Sequence, residues 1–299
     1  AAELGLPEAQ YWLGMCYFNG KTVPVDYKKA AEWYTKAALQ NHAFAQNNLG
    51  CCYETGKGVE KDYKKALELY TKSMEAGDAF AYYNLGKLYF YGKGVEKNLK
   101  KAIELYKKAA ELGDIWVQSD LAICYEKGIG VEQDYKKAVE WHTKAAISGD
   151  AVAQYNLAVC YRNGRGVDKD YKKAVEWYTK AAEQGDADAL CSLGICYEAG
   201  NGIEKDIKKA VELYTKAAEQ GNAMAQYNLA ICYRNGRGVD KDYKKAVEWY
   251  TKAAEQNNSE AQNKLGACYE QGIGVEQDYK RAVEWYAKAA KKDNAIAKY

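Results

Sequence analysis

Shifted by 36 residues, this chain matches itself along nearly its whole length. Leu157 falls on Leu13, Leu49, Leu85, Leu121, Leu193, Leu229 and Leu265, and Tyr161 on Tyr17, Tyr53, Tyr89, Tyr125, Tyr197, Tyr233 and Tyr269. Ala174 meets alanine at 30, 66, 102, 138, 210, 246 and 282. Eight copies without insertion or deletion make a repeat array, in which a unit buries its apolar side only against its neighbours.

Residues 150–185 show what one unit must be. Ala153, Leu157, Cys160, Tyr161 and Gly164 are spaced i, i+4, i+7, i+8 and i+11, on one side of a helix. Tyr171, Ala174, Val175, Tyr178, Ala181 and Ala182 repeat that helical spacing. Between the two lies Gly164-Arg165-Gly166-Val167, where glycine turns the chain at positive φ. Asp170 reads as the N-cap of the second helix, Gly185 as its C′ glycine, and Asp186 as the next N-cap. The unit is a helical hairpin whose helices are too short to persist alone.

The pattern A-x-x-x-L-G/A-x-x-Y-x-x-G-x-G-V, followed by D-x-x-K-A-x-x-W/L-Y-x-K-A-A, resembles the Sel-1-like repeat family, relatives of the tetratricopeptide repeats. Ala81, Leu85, Gly86, Tyr89, Gly92, Gly94, Val95, Lys101, Ala102, Tyr106, Lys108 and Ala109 carry it in the third unit. Thr22 replaces the second glycine in unit one, and Asn98-Leu99 replace Asp-Tyr in unit three. The resemblance implies an all-α, right-handed α-α superhelix (a solenoid) with the first helices on the concave face. It also implies a scaffold or adaptor role. The expected organisation is one array over 1–299, with units at about 7–42, 43–78, 79–114, 115–150, 151–186, 187–222, 223–258 and 259–294.

Both ends fall inside a unit. Ala1–Gly5 aligns with the second-helix tail Ala109–Gly113, and Asn294–Tyr299 with the first-helix opening Asn222–Tyr227. The expectation is therefore a fragment of a longer array, whose uncapped ends could stack end to end. The net charge of +2 and pI near 8.0 demand neither nucleic acid nor an acidic membrane surface. No run of 18 apolar residues occurs, so membrane insertion is not expected.

Seven of the nine cysteines, Cys16, Cys52, Cys124, Cys160, Cys196, Cys232 and Cys268, share one repeat position, which Leu88 fills in unit three. That pattern describes a small core residue better than a metal ligand or a disulfide. The lack of a disulfide framework points to a reducing, cytoplasmic setting. His142 stands in a tyrosine position as a packing substitute, and His42 reads as a solvated turn residue. The G-x-G loops follow helices, not strands, and so do not read as phosphate loops. No catalysis, metal or cofactor is expected.

With Glu8 set at 0°, the recurring first-helix residues lie at about 80–180° and positions 8, 11, 12, 15, 18 and 19 of the unit lie opposite. That opposite side is the candidate groove for a protein or peptide. Phe44, Phe80 and Trp116 share position 8. Tyr83, Tyr155 and Tyr227 stand at position 11. Asn48, Asn84, Asn156 and Asn228 form a ladder at position 12, interrupted by Asp120. Lys87, Ile123 and Ile231 stand at position 15, and Arg162 and Arg234 at position 18. The asparagines can pair with the backbone of an extended peptide or hydrogen-bond within the array; both readings stand.

A 72-residue period lies beneath the first. Glu54, Glu126, Glu198 and Glu270 mark even units where odd units carry Phe18, Phe90, Arg162 and Arg234, and residues 160–184 and 232–256 are identical. Duplication of a two-unit block explains it. The functional alternative is a groove whose arginines and glutamates read a charged partner in register. The expected function is a non-catalytic protein-interaction scaffold; the rival is a regulatory or substrate-positioning segment of a larger enzyme such as a kinase. The outward Lys28, Glu32 and Lys36 read as a solvated helix face.

Overall fold

In a computed structural model of the chain, residues 1–296 are described, with side-chain detail for 1–291 except Ile115. The described residues form sixteen helices and no strand. The first helices of the units are α1 (Pro7–Asn19), α3 (Ala43–Thr55), α5 (Ala79–Tyr91), α7 (Ile115–Lys127), α9 (Ala151–Asn163), α11 (Ala187–Ala199), α13 (Ala223–Asn235) and α15 (Ser259–Gln271). The second helices are α2 (Tyr27–Ala38), α4 (Tyr63–Glu75), α6 (Leu99–Glu111), α8 (Tyr135–Ile147), α10 (Tyr171–Glu183), α12 (Ile207–Glu219), α14 (Tyr243–Glu255) and α16 (Tyr279–Ile296). They belong to two compact units, Ala1–Ala145 and Ala146–Tyr299. Within each, hairpin packs on hairpin, the arrangement of an all-α solenoid.

The helix ends are set where the sequence places them. Asp170 accepts from Lys173 N–H at 3.0 Å and Asp186 from Ala189 N–H at 2.7 Å, each supplying a partner to an orphan donor. Asn98 caps α6 as the aspartates cap the other second helices. Gly164 closes α9 at φ 69, and the Asp170 N–H returns to Tyr161 O at 2.9 Å to shut the hairpin loop. Thr22 at φ 68, and Asn41 and Asn257 at φ 62, hold left-handed positions that glycine takes in other units. Residues 294–296 continue α16, which corrects the expected start of a further first helix at Asn294; residues 297–299 lie outside the described residues.

The core explains the recurring residues. Ala174, Tyr178 and Ala181 of α10 are buried against Leu190, Leu193 and Cys196 of α11. Small alanines let helix backbones approach, and the tyrosine ring fills the remaining gap. Where the first helix carries glycine, the ring lies over it: a Cβ on Gly86 would stand 2.7 Å from the Tyr106 ring. A buried glutamine, replaced by Tyr82 in unit three and Leu190 in unit six, then ties several hairpins to the one before. Gln154 Nε2 donates to Ala146 O at 3.0 Å, Gln226 to Ala218 O at 3.1 Å and Gln262 to Ala254 O at 3.0 Å, satisfying carbonyls at second-helix ends.

Candidate functional site

First helices are apolar on two sides. One side packs on the second helices; the other carries side chains that neighbouring first helices cover only in part. In the first compact unit this outer side holds Trp12, Phe44, Phe80 and Trp116 at 56, 49, 52 and 67 % exposure. Between α1, α3 and α5 it forms a cleft of about 700 Å³. Tyr11, Trp12, Met15, Phe18, Phe44 and Phe80 supply its apolar walls, and Asn48 and Asn84 lie among its polar groups. Tyr11, Trp12 and Met15 are the first unit's residues at positions 11, 12 and 15, on the side that helical spacing assigns to the groove.

The floor is stitched by contacts from position 11 of one unit to position 12 of the next. Asn84 is buried and its Nδ2 donates to Asn47 Oδ1 at 2.9 Å, while Tyr83 Oη donates to Asp120 Oδ2 at 2.8 Å. Asn48 Nδ2 lies 3.3 Å from Met15 Sδ, and Asn228 sits against the Cys191 thiol. These asparagines are engaged inside the array, so the ladder is not a row of free amides. Asn156, half-buried, has no hydrogen-bond partner among the described residues. Lys87 Nζ stands 4.6 Å from the Tyr83 ring centroid, and Ile123 and Ile231 are half-buried.

His42 corrects the expectation of a solvated turn residue. Its Nδ1 accepts from Ala45 N–H at 3.2 Å, leaving Nε2 to donate to Glu8 Oε2 at 2.8 Å, and its ring stacks on Tyr11 at 4.9 Å. Trp12 Nε1 donates to the other Glu8 oxygen at 2.7 Å. These hydrogen bonds hold the Glu8 carboxyl below its ordinary range, so one rim of the cleft keeps its negative charge. His142 is fully buried in its tyrosine position, with Nε2 3.9 Å from Glu126 Oε2.

The even-unit glutamates have structural partners. Tyr70 Oη donates to Glu54 at 2.9 Å, Tyr214 Oη to Glu198 at 2.7 Å and Tyr286 Oη to Glu270 at 2.8 Å. Glu54 and Glu198 also meet the next unit, through Lys93 at 3.4 Å and Arg237 at 2.8 Å. This corrects the idea that glutamates and arginines alternate as one charge-reading row: two glutamates clamp neighbouring hairpins. In the second compact unit Tyr155 and Tyr227 tilt against Tyr178 and Tyr250 at 5.8 and 6.0 Å. Arg162 and Arg234 are half-buried at the last turns of α9 and α13.

Seven of the nine cysteines are buried, and Cys16 and Cys51 are partly so. Burial pushes the Cys52 and Cys191 thiols up to about 12 and those of Cys124 and Cys232 up to about 11, so they are neither nucleophiles nor ready ligands at neutral pH. Among the described residues, no three His, Cys, Asp or Glu side chains are grouped to hold a metal ion, and no helix is long and apolar enough to cross a membrane. Outside the groove, Lys36, Lys144, Lys180, Lys252 and Lys288 each lie about 4 Å over a second-helix tryptophan, capping that face with the chain's own cations.

Comparison with known proteins returned two kinds of likeness. The Sel1 repeat family profile matches residues 7–42, 43–78, 79–114, 117–150, 151–186, 187–222, 223–258 and 259–294. The crystal structure of c5321, a protective antigen of uropathogenic Escherichia coli strains displaying an SLR fold, is 42 % identical at a TM-score of 0.88. That match covers 97 % of this chain and 62 % of the antigen, so the chain spans less than two thirds of that protein's length. A Sel1 repeat protein from Oxalobacter formigenes is 33 % identical at a TM-score of 0.76, over 99 % of this chain and 86 % of its own. A search of curated proteins found no match. Eight tandem matches over hairpins of this geometry have one reading: the chain belongs to the Sel1 repeat family.

Proposed function

We propose that this chain is a non-catalytic scaffold that holds a peptide or protein segment on the outer face of its first helices. Sel1 repeat proteins generally mediate protein–protein interaction and are generally not catalysts. The observation that carries the proposal here is the aromatic cleft between α1, α3 and α5. Trp12, Phe44 and Phe80 remain about half exposed around about 700 Å³ of open space. Apolar side chains grouped this way on a folded surface mark an interaction site more often than chance exposure does. Aromatic anchors that fill such a cleft dominate interface energetics.

Because Asn48 and Asn84 are engaged within the array, recognition in the cleft rests on apolar anchoring more than on amide pairing with a peptide backbone. Phe44, Phe80 and Trp116 provide the anchor surface, and Tyr83, Asp120 and Lys87 a polar edge beside it. The test is selection of short random peptides on the full chain, followed by hydrogen-exchange mapping of a selected binder. Amide protection should concentrate in α1, α3 and α5, and Phe44→Ser with Phe80→Ser should weaken binding about tenfold or more, as lost apolar burial predicts. Protection confined to second helices or loops would overturn the assignment.

A further inference from the structure

A second, chemically different feature lies on the first-helix face of the second compact unit. In units two, six and eight, a second-helix tyrosine donates its hydroxyl to the glutamate 16 residues earlier: buried Tyr70 to Glu54, buried Tyr214 to Glu198, and half-buried Tyr286 to Glu270. In units five and seven Arg162 and Arg234 stand at the glutamate position, and each acts electrostatically on the tyrosine 16 residues later, Tyr178 and Tyr250. A donor has replaced the acceptor. Both arginines pull the tyrosine pKa down against the effect of burial; Arg234 also offers Tyr250 a side-chain hydrogen bond and Ser192 offers one to Tyr178, both too loose to count as well-formed bonds among the described residues.

The guanidiniums lack an acid as well. The one hydrogen bond in which Arg162 takes part among the described residues is a long one, Nε to Asn163 Oδ1 at 3.4 Å, and neither arginine forms an ion pair there. Asp188, the carboxylate at the N-terminal end of α11, accepts from Asn222 Nδ2 at 2.7 Å. Glu198, between the two arginines in the chain, is held by Tyr214 and Arg237. The negative ends of α9 and α13 favour a cation at these positions, but a helix dipole supplies no bidentate acceptor. Each site is thus a half-buried five-donor fork beside a tyrosine hydroxyl, with no carboxylate paired to it among the described residues. One turn earlier on the same helices stand Val159 and Ile231, half-buried, with exposed Ile195 on α11.

We infer that this face is a receptor for acidic peptide segments, in which aspartate or glutamate side chains pair with Arg162 and Arg234 while interspersed aliphatic residues lie on Val159, Ile195 and Ile231. The inference rests on the scaffold reading above and adds the partner's charge. It requires no covalent step: the peptide's carboxylates supply the acceptors that the glutamates supply in the even units.

The test is random-peptide display on the full chain and on the Arg162→Gln/Arg234→Gln variant, with sequencing of what is retained. Peptides retained by the unaltered chain should be rich in Asp and Glu, and that enrichment should vanish on the variant. A synthetic copy of one selected peptide, read by fluorescence anisotropy, should bind the variant about tenfold more weakly. Its Glu→Gln form should lose as much on the unaltered chain, and its affinity should fall with added salt. The last two measurements do not depend on how the variant folds. Binders without acidic enrichment would overturn the inference and leave the scaffold reading standing, as would acidic enrichment unchanged on the variant. An absence of any binder would overturn both.

Discussion

Replacing Gly202 by alanine should cost far more stability than replacing Gly185, although both glycines hold positive φ. Gly185, at φ 86, has nothing within 4 Å of the place a Cβ would take. Its replacement therefore costs only the left-handed conformation, about 1–2 kcal/mol. Gly202, at φ 74, would drive its Cβ into Tyr171 O and Tyr171 C, far inside van der Waals contact. These are backbone atoms at the start of α10 in the preceding hairpin, and no rotamer change relieves the clash. The two hairpins must part by about 1 Å, an overpacking cost of about 1–3 kcal/mol added to the conformational term. Thr22 holds φ 68 at the equivalent place in unit one, so positive φ alone does not demand glycine there. Urea unfolding followed by circular dichroism should give a clearly lower midpoint for Gly202→Ala than for Gly185→Ala at similar slope. Equal midpoints would refute the claim that hairpin-to-hairpin approach is what requires the second glycine.

Alkaline pH should unfold the chain. Folding raises the thiols of Cys52 and Cys191 from 9.0 to about 12, so their contribution is complete below pH 9 and is lost as pH climbs toward the folded values. A melting temperature that stays flat from about pH 8 to 11 under reducing conditions would contradict this. The same burial predicts that Cys52, Cys191 and Cys232 react with a thiol reagent no faster than the protein unfolds, and rapid native labelling of any of them would break the reading. Glu198→Gln should destabilise by about 1–2 kcal/mol by weakening the Tyr214 hydrogen bond and the Arg237 pair. A double-mutant cycle with Tyr214→Phe should show coupling of about 0.5 kcal/mol or more, and strict additivity would remove the clamp. Asp206→Ala should cost about 1 kcal/mol through loss of the α12 cap, measured by the same urea unfolding.

The hairpin was legible because its determinants are local. Asp170 caps, Gly164 turns and Ala174 packs for reasons contained within one unit, and repetition separates these requirements from accident. The outer position of Phe44, Phe80 and Trp116 was equally readable from helical spacing alone. The role of His42 is hidden from a within-unit pattern because it depends on Glu8, 34 residues away across a hairpin boundary. The asparagines are ambiguous in the sequence for the same reason. Whether Asn84 faces a peptide or Asn47 depends on the distance between successive first helices, which no within-unit period contains.

The amino-acid sequence by itself determined the 36-residue unit, its two helices and their caps, the cysteine and alanine core, and which side of each first helix is free to vary. These follow from backbone periodicity and from what glycine, aspartate and alanine permit. Tertiary structure alone decided which of those variable side chains are spent between hairpins and which remain for a partner. Tyr83 meets Asp120, Asn84 meets Asn47 and Glu198 meets Tyr214 and Arg237, whereas Arg162 and Arg234 meet no acid among the described residues. The physical reason is reach: a polar side chain is satisfied or orphaned according to atoms within about 3 Å, and in a stacked array half of those atoms belong to the neighbouring hairpin.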